Sequence, residues 1–299
     1  MPTRTFTTQG GPVDLGGTLF PLRRGHRDPT WRIRGPEALC SARTSQGPAT
    51  LHLRTEGETV RAEAWGPGAT WMLDGAPGLI GASDTGEGFT PHDDVIGELW
   101  RRHRGIRLTR TRMVMPALVA AIFEQKVTGP EAREAWRGLV EATSERAPGP
   151  GGLWLPPDPA RVAALPYFAF HRFGVERKRA DLVRAVSARA GRFEALGLLR
   201  PAEARERIQA HRGIGPWTAA EVARLALGDP DAVSVGDYHL PNLVSWMLAR
   251  ETRGTDERML ELLEPYRGQR GRVQRLLEAG GASAPRFGPR TEIRSIATI

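Results

Sequence analysis

The chain has 299 residues, 40% of them hydrophobic, which suffices for the core of one large domain or two ordinary ones, and no apolar run is long enough to span a bilayer. Its 42 lysines and arginines against 34 acids leave a formal charge of +8, which favours a polyanionic partner, although part of any such excess is ordinary solvated surface. The single cysteine, Cys40, excludes an intrachain disulfide, a zinc site of several thiolates and a four-cysteine iron–sulfur cluster; seven histidines without H-E-x-x-H spacing argue against a catalytic metal.

The start, "MPTRTFTTQGG", lacks the apolar core of a secretory signal, so a cytoplasmic location is expected. In chain order, strands are predicted at 17–24 ("GTLFPLRR"), 30–35 ("TWRIRG"), 49–55 ("ATLHLRT") and 59–66 ("TVRAEAWG"). The last two alternate small or apolar with polar residues, and "EGE" between them reads as a hairpin loop. A short helix is expected near 69–76. From about residue 91 the period turns helical. "TPHDDVIGELWRRH" has the acidic start and basic end that suit a helix dipole, and "MPALVAAIFEQKV" (115–127) is apolar nearly all round, as a central buried helix should be. A helix over 130–143 follows, then the Pro/Gly-rich loop 147–159. Further helices are expected near 159–165, 176–190, 201–211, 216–227, 238–249, 255–265 and 268–279. The expected fold class is therefore α+β: an antiparallel, β-rich N-terminal domain (1–90), an all-α domain of roughly eight to ten helices (91–280), and a basic C-terminal tail (281–299).

The stretch "HRGIGPWTA" (211–219) carries the most information. Gly213 and Gly215 can adopt backbone angles closed to other residues, and Pro216 is preset for a first helical turn. Two helices joined by a tight Gly-Ile-Gly hairpin result, with Ile214 turned back into the helix pair. The free N–H groups of such a hairpin suit a phosphate and read no base, although the triplet alone fits an ordinary helix connection as well.

Read with its neighbours, the segment "HRGIGPWTAAEVARLALGDPDAVSVGDYHL" (211–240) resembles the helix–hairpin–helix DNA glycosylase superfamily, most nearly its 3-methyladenine DNA glycosylase II branch. "LVAAIFEQKVTGPEA" (118–132) and "FGVERKRADLVRAVSARA" (173–190) match as well, so the resemblance spans roughly 100–280. It implies a helix–hairpin–helix glycosylase domain that acts on damaged bases in double-stranded DNA, as a monomer and away from membranes. It implies no cofactor, though hairpin carbonyls could hold a monovalent cation. Arg212, Gly213, Ile214, Gly215, Thr218, Gln125, Lys126, Arg177 and Lys178 become the expected DNA-binding residues. Trp217, Tyr238 and Glu221 become the expected base pocket.

In that superfamily an aspartate lies about twenty residues beyond the hairpin, and here that position is Asp237. An ionised carboxylate beside C1′ stabilises the positive charge that builds on deoxyribose as the base departs, and it can orient water. Asp237 is also placed to cap the helix that follows, and one residue can do both. Asp229 and Asp231 in "GDPDAV" read as turn residues. Superfamily members that also cut the strand carry a Schiff-base lysine two residues past the second hairpin glycine; here that residue is Trp217, which implies a monofunctional enzyme. Trp217 is read either as part of the pocket or as helix packing, and the "ERKRA" run (176–180) either as DNA contact or as a solvated face.

Four positions depart from the family pattern. Glu221 replaces an aromatic, Lys126 an apolar wedge and Arg212 a proline, and no tryptophan follows "RGQRGRVQRLL". These departures keep a second reading open, a non-catalytic lesion-binding or bent-DNA-binding protein on the same fold. A transcriptional regulator is disfavoured, because no recognition helix or dimerisation heptad is visible.

Overall fold

A computed structural model describes residues 2–285, so most of the expected basic tail lies outside the described residues. The chain opens with strand β1 (Thr3–Thr7) and a short helix, α1 (Leu15–Leu19). Strands β2 (Trp31–Arg34), β3 (Glu37–Thr44), β4 (Gly47–Glu56) and β5 (Thr59–Trp65) follow. They form one antiparallel sheet in the order β1-β5-β4-β3-β2. Register sets Trp31 opposite Cys40, Cys40 opposite Leu51 and Leu51 opposite Ala64, so one row of buried side chains crosses four strands. The two-residue side-chain period keeps every second residue on that face. Helix α2 (Ala69–Leu79) covers it with Ala69, Met72, Leu73 and Ala76. Burial there pushes the Cys40 thiol up to about 12, leaving an unreactive sulfhydryl.

Residues 17–24 correct the strand expected there. Asp14 accepts a hydrogen bond from Gly17 N (2.8 Å) and starts α1, and Pro21 then sits in a 3-10 turn over Phe20–Leu22. A capping aspartate outweighs a short apolar alternation. Gly17 is required by packing, since a Cβ there would come within 2.9 Å of Ile106. Two strands went unpredicted. β1 is an edge strand, exposed at nearly every position, and β3 is rich in small residues with no β-branched core to mark it.

The helical part begins with α3 (Asp94–Arg102), capped by Asp93 through Ile96 N (2.9 Å) and ending in Arg101 and Arg102. Helix α4 (Val114–Phe123) is central, with every residue but Pro116 buried. It starts two residues before the proline because Glu194 takes up the free amides of the first turn: its carboxylate accepts from Val114 N (2.9 Å) and Met115 N (3.0 Å). Around α4 lie α5 (Gly129–Thr143), α6 (Pro159–Ala164), α7 (Arg177–Ser187), α8 (Ala190–Ala195), α9 (Pro201–Gln209) and α10 (Pro216–Val222). The helix expected over 176–190 is α7, and α8 follows it as a separate short helix.

Helix α10 runs on as a π-helical turn, Ala223–Leu227, ended by Gly228 in the left-handed region. The wider turn frees carbonyls, and the segment 109–112 uses them: Arg112 N donates to Ala226 O (2.9 Å) and Thr109 Oγ1 to Leu225 O (3.4 Å). Helices α11 (Leu240–Ala249), α12 (Asp256–Leu263) and α13 (Arg270–Ala279) complete the described chain and build a separate apolar cluster with α3. No described helix is long and apolar enough to cross a membrane.

Burial raises the pKa of Glu194 to about 7, above its ordinary carboxylate value, and only partly do the two amide donors oppose this. A group raised in this way adds stability at low pH and loses it as pH rises through the folded value. Wild-type stability should therefore fall between about pH 4.5 and pH 7, by up to about 3 kcal/mol. Glu194→Gln should flatten that fall, as read by denaturant unfolding across the pH range.

Candidate active site

The hairpin is built as its residues predict, with one division of labour. Gly213 has φ +93°, and a Cβ there would meet the Leu182 side chain at 3.0 Å, so both backbone and packing require glycine. Gly215 has an ordinary φ of −88°, and nothing lies within 4 Å of where its Cβ would stand. Its bareness leaves the turn open to close approach from outside. Ile214 is buried in the main core and anchors the hairpin, Pro216 opens α10, and Arg212 is exposed beside the turn.

Gln125, just beyond α4, ties that helix to the hairpin. Its Nε2 donates to Gly213 O (3.3 Å) and to Thr218 Oγ1 (2.9 Å). Lys126 follows at φ +57°, exposed, at the tip of the turn into α5. A lysine held in the left-handed region costs about 1 kcal/mol or more, and such strain persists where the surroundings fix it. On one side α4 fixes it; on the other stands a capping box in which Thr128 N donates to Glu131 Oε2 (2.9 Å).

Of the basic run, Arg177 and Lys178 are exposed, as a nucleic-acid contact requires. Arg177 lies 3.5 Å from Asp181 and packs its guanidinium 4.7 Å from the Tyr167 ring centre. Arg179 is structural: it is buried and donates to Phe123 O (2.8 Å) and to Glu176.

Asp237 occupies the loop between the π turn and α11. One carboxylate oxygen accepts from His239 N (2.7 Å) and Leu240 N (2.8 Å), capping α11; the other accepts from Trp217 Nε1 (3.0 Å). The capping role and a position facing the hairpin therefore coexist. Trp217 belongs to the site through its indole N–H, with its ring partly buried against the core. Tyr238 is 83% exposed and free to meet a partner from solvent.

Glu221, expected in the base pocket, turns to neighbouring polar groups of its own chain. Its carboxylate pairs with Arg224 (2.7 Å) and accepts from Ser234 Oγ. Arg224 in turn pairs with Glu278 (2.7 Å), and Gln274 Nε2 donates to Ser234 Oγ (3.0 Å) and Glu278 Oε1 (2.9 Å). The loop is strapped at other points too. Asp229 pairs with Arg205 (2.8 Å), Asp231 with Arg270, and Gly236 N donates to Asp256 (3.0 Å). Both turn aspartates thus serve structure, as expected.

Sequence reasoning missed this strapping, and it missed Glu124. That residue follows the apolar run of α4, accepts from Arg24 Nη1 (3.3 Å) of the N-terminal region, and lies within electrostatic reach of Asp237 and Glu221. Its signal was available: it is the only charged residue between Val114 and Gln125. Removing the Asp237 side chain with Asp237→Ala should cost about 1 kcal/mol through the lost cap. Asp237→Asn should cost less, because its remaining oxygen keeps both backbone bonds; chemical denaturation of the two variants checks the order.

No known family model matches the chain. A Bacillus subtilis protein, YfjP, whose name assigns it provisionally as a DNA-3-methyladenine glycosylase, is 22% identical over 178 residues. That match covers 57% of this chain and 61% of YfjP, about three fifths of each. Among solved structures, the 3-methyladenine DNA glycosylase of Archaeoglobus fulgidus superposes with a TM-score of 0.78 at 17% identity, over 92% of this chain and 97% of that one. The Clostridium acetobutylicum 8-oxoguanine glycosylase/lyase, solved with duplex DNA holding cytosine opposite 8-oxoguanine, gives 0.71 at 14% identity, over 93% and 97%. The fold is that of the helix–hairpin–helix DNA glycosylases, and the chain resembles the 3-methyladenine enzymes among them in sequence and in structure.

Proposed function

We propose that the protein is a monofunctional DNA glycosylase that hydrolyses the N-glycosidic bond of damaged, alkylated purines in duplex DNA. The observation that carries this reading is Asp237, a carboxylate held by Trp217 Nε1 on the hairpin helix and by two backbone amides on the other side. A carboxylate fixed by three donors is preorganised. It does not have to rotate into place when positive charge develops at C1′.

The remaining parts follow from chemistry. A base inside a duplex is beyond reach, so the nucleotide must be turned out of the stack. The hairpin N–H groups and Arg212 grip the phosphates, with Arg177 and Lys178 as a second basic point. Lys126, held outward at the tip beyond α4, enters the gap left by the base or holds a phosphate with its ammonium. Trp217 and Tyr238 offer π-faces, which attract a cationic alkylated purine more than a neutral base. Trp217 also occupies the place where a strand-cutting relative would carry its amine, so water attacks C1′, with Asp237 orienting it, and an abasic site remains.

Chromatography of bases released from alkylated genomic DNA tests the reading. Wild type should release methylated purines and Asp237→Asn should not; borohydride should trap no protein–DNA adduct on abasic DNA. Equal release by both proteins would assign the chemistry to another carboxylate. For the grip, Arg212→Ala should weaken duplex binding irrespective of sequence and lower the slope of log K against log salt by about 1.

A further inference from the structure

We propose that the N-terminal sheet domain carries a second grip for DNA. The turn 24–28, laid on the first turns of α5, binds backbone phosphates on the flank of the lesion that the hairpin does not hold. The proposal rests on the reading of the protein as a DNA glycosylase given above, and it makes the N-terminal domain part of the DNA-binding surface.

Placement is the first argument. Arg24 Nη1 reaches the Glu124 carboxylate (3.3 Å) at the end of α4. The next residue, Gln125, is bonded to Gly213 O and Thr218 Oγ1 of the hairpin, and the one after it, Lys126, stands exposed at the tip of the turn into α5. Three consecutive residues thus join the N-terminal turn, the hairpin and an outward lysine.

The second argument is rigidity. Buried Asp28 fixes the turn by accepting from Arg24 N (2.6 Å), Thr30 N (2.8 Å), Thr30 Oγ1 (2.8 Å) and, on α5, Trp136 Nε1 (3.3 Å). Gly25, at φ +82°, lies so close to Arg133 of α5 that a Cβ would meet that side chain at 2.5 Å. Both the backbone angle and the contact require glycine there. A binding element already held in one shape loses little entropy when its ligand arrives.

The third argument is the supply of free cations on this seam. Arg133 and Lys126 are both exposed, and among the described residues neither has a carboxylate within ion-pair distance. Arg27 is exposed as well; its carboxylate partner, Glu134, is shared with Arg137, so one acid serves two guanidiniums. An arginine carries five N–H donors, and Arg27 uses one of them on Glu134. His26 is exposed in the same turn. An exposed pair such as Arg27–Glu134 does little to hold two domains together. The same cations set against phosphates release counterions and add directly to affinity. Arg24, with its side chain only 13% exposed, positions the turn, and Arg27 and Arg133 meet the ligand.

Salt-dependent binding tests this on duplexes that carry a tetrahydrofuran abasic analogue and are either long on both flanks or cut back on one. Replacing Arg27 and Arg133 together by Gln should lower the slope of log K against log salt by about 2 on the long duplex. Cutting back the flank held by the turn should cost wild type the same two charges and leave the double variant unchanged, while cutting back the other flank should cost both proteins alike. Glu134→Gln frees Arg27 and should tighten binding, whereas a pair that only docked the domains would gain nothing from its loss. An unchanged slope in the double variant, a loss that is the same on either flank, or no tighter binding by Glu134→Gln would overturn the proposal. Base release from alkylated DNA by wild type separates the two readings. Release together with an unchanged slope removes the second grip and leaves the glycosylase; no release together with a lowered slope removes the glycosylase and leaves the grip.

Discussion

A guanidinium buried between two carboxylates governs where Asp237 can be. Arg224 sits inside the protein with Glu221 on its own helix and Glu278 on α13, and these neighbours hold its pKa above the ordinary arginine value despite burial. Such a triad is a weak source of net stability, but it is intolerant of a missing partner, because a charge left alone in the interior costs several kcal/mol. Its value here is geometric. Ser234 hydrogen-bonds to Glu221 and Gln274, so the loop that leads to Asp237 is pinned to the same cluster that joins the hairpin helix to the last helix. The distance from hairpin to carboxylate is thereby set by the interior of the protein and need not be set by the ligand.

The same cluster gives Glu221 a structural place: it pairs with Arg224 at 2.7 Å and accepts from Ser234 Oγ. An aromatic side chain at 221 could make neither interaction, so the anchoring of the loop depends on a carboxylate there.

How much of this was legible in the sequence depended on the range of the interaction. Gly213, Ile214, Gly215 and Pro216 announced the hairpin because its constraints are local: backbone angles, one anchor side chain, one preset φ. The cap made by Asp237 was legible from the helix after it, whereas its bond to Trp217 was not. The segment 17–24 was misjudged because a capping aspartate at position 14 decided its conformation, outside the window that looked strand-like. β1 and β3 escaped because an edge strand need not alternate and small residues carry little periodic signal. Glu124 meets Arg24, and Arg224 meets Glu278, only in the folded chain, across separations that no spacing rule spans.

The apolar cluster of the N-terminal sheet takes in Met113, at the start of α4, and Leu225, in the π turn that follows the hairpin helix. Sheet and helical body thus share interior surface beside the two elements that frame the reacting groups. An exchange of the sheet for an unrelated one would strip cover from both. Lineages carrying this arrangement would inherit the two halves together, and drift in one would be met by drift in the other along that seam, while the outer edge strand β1 stays free to vary.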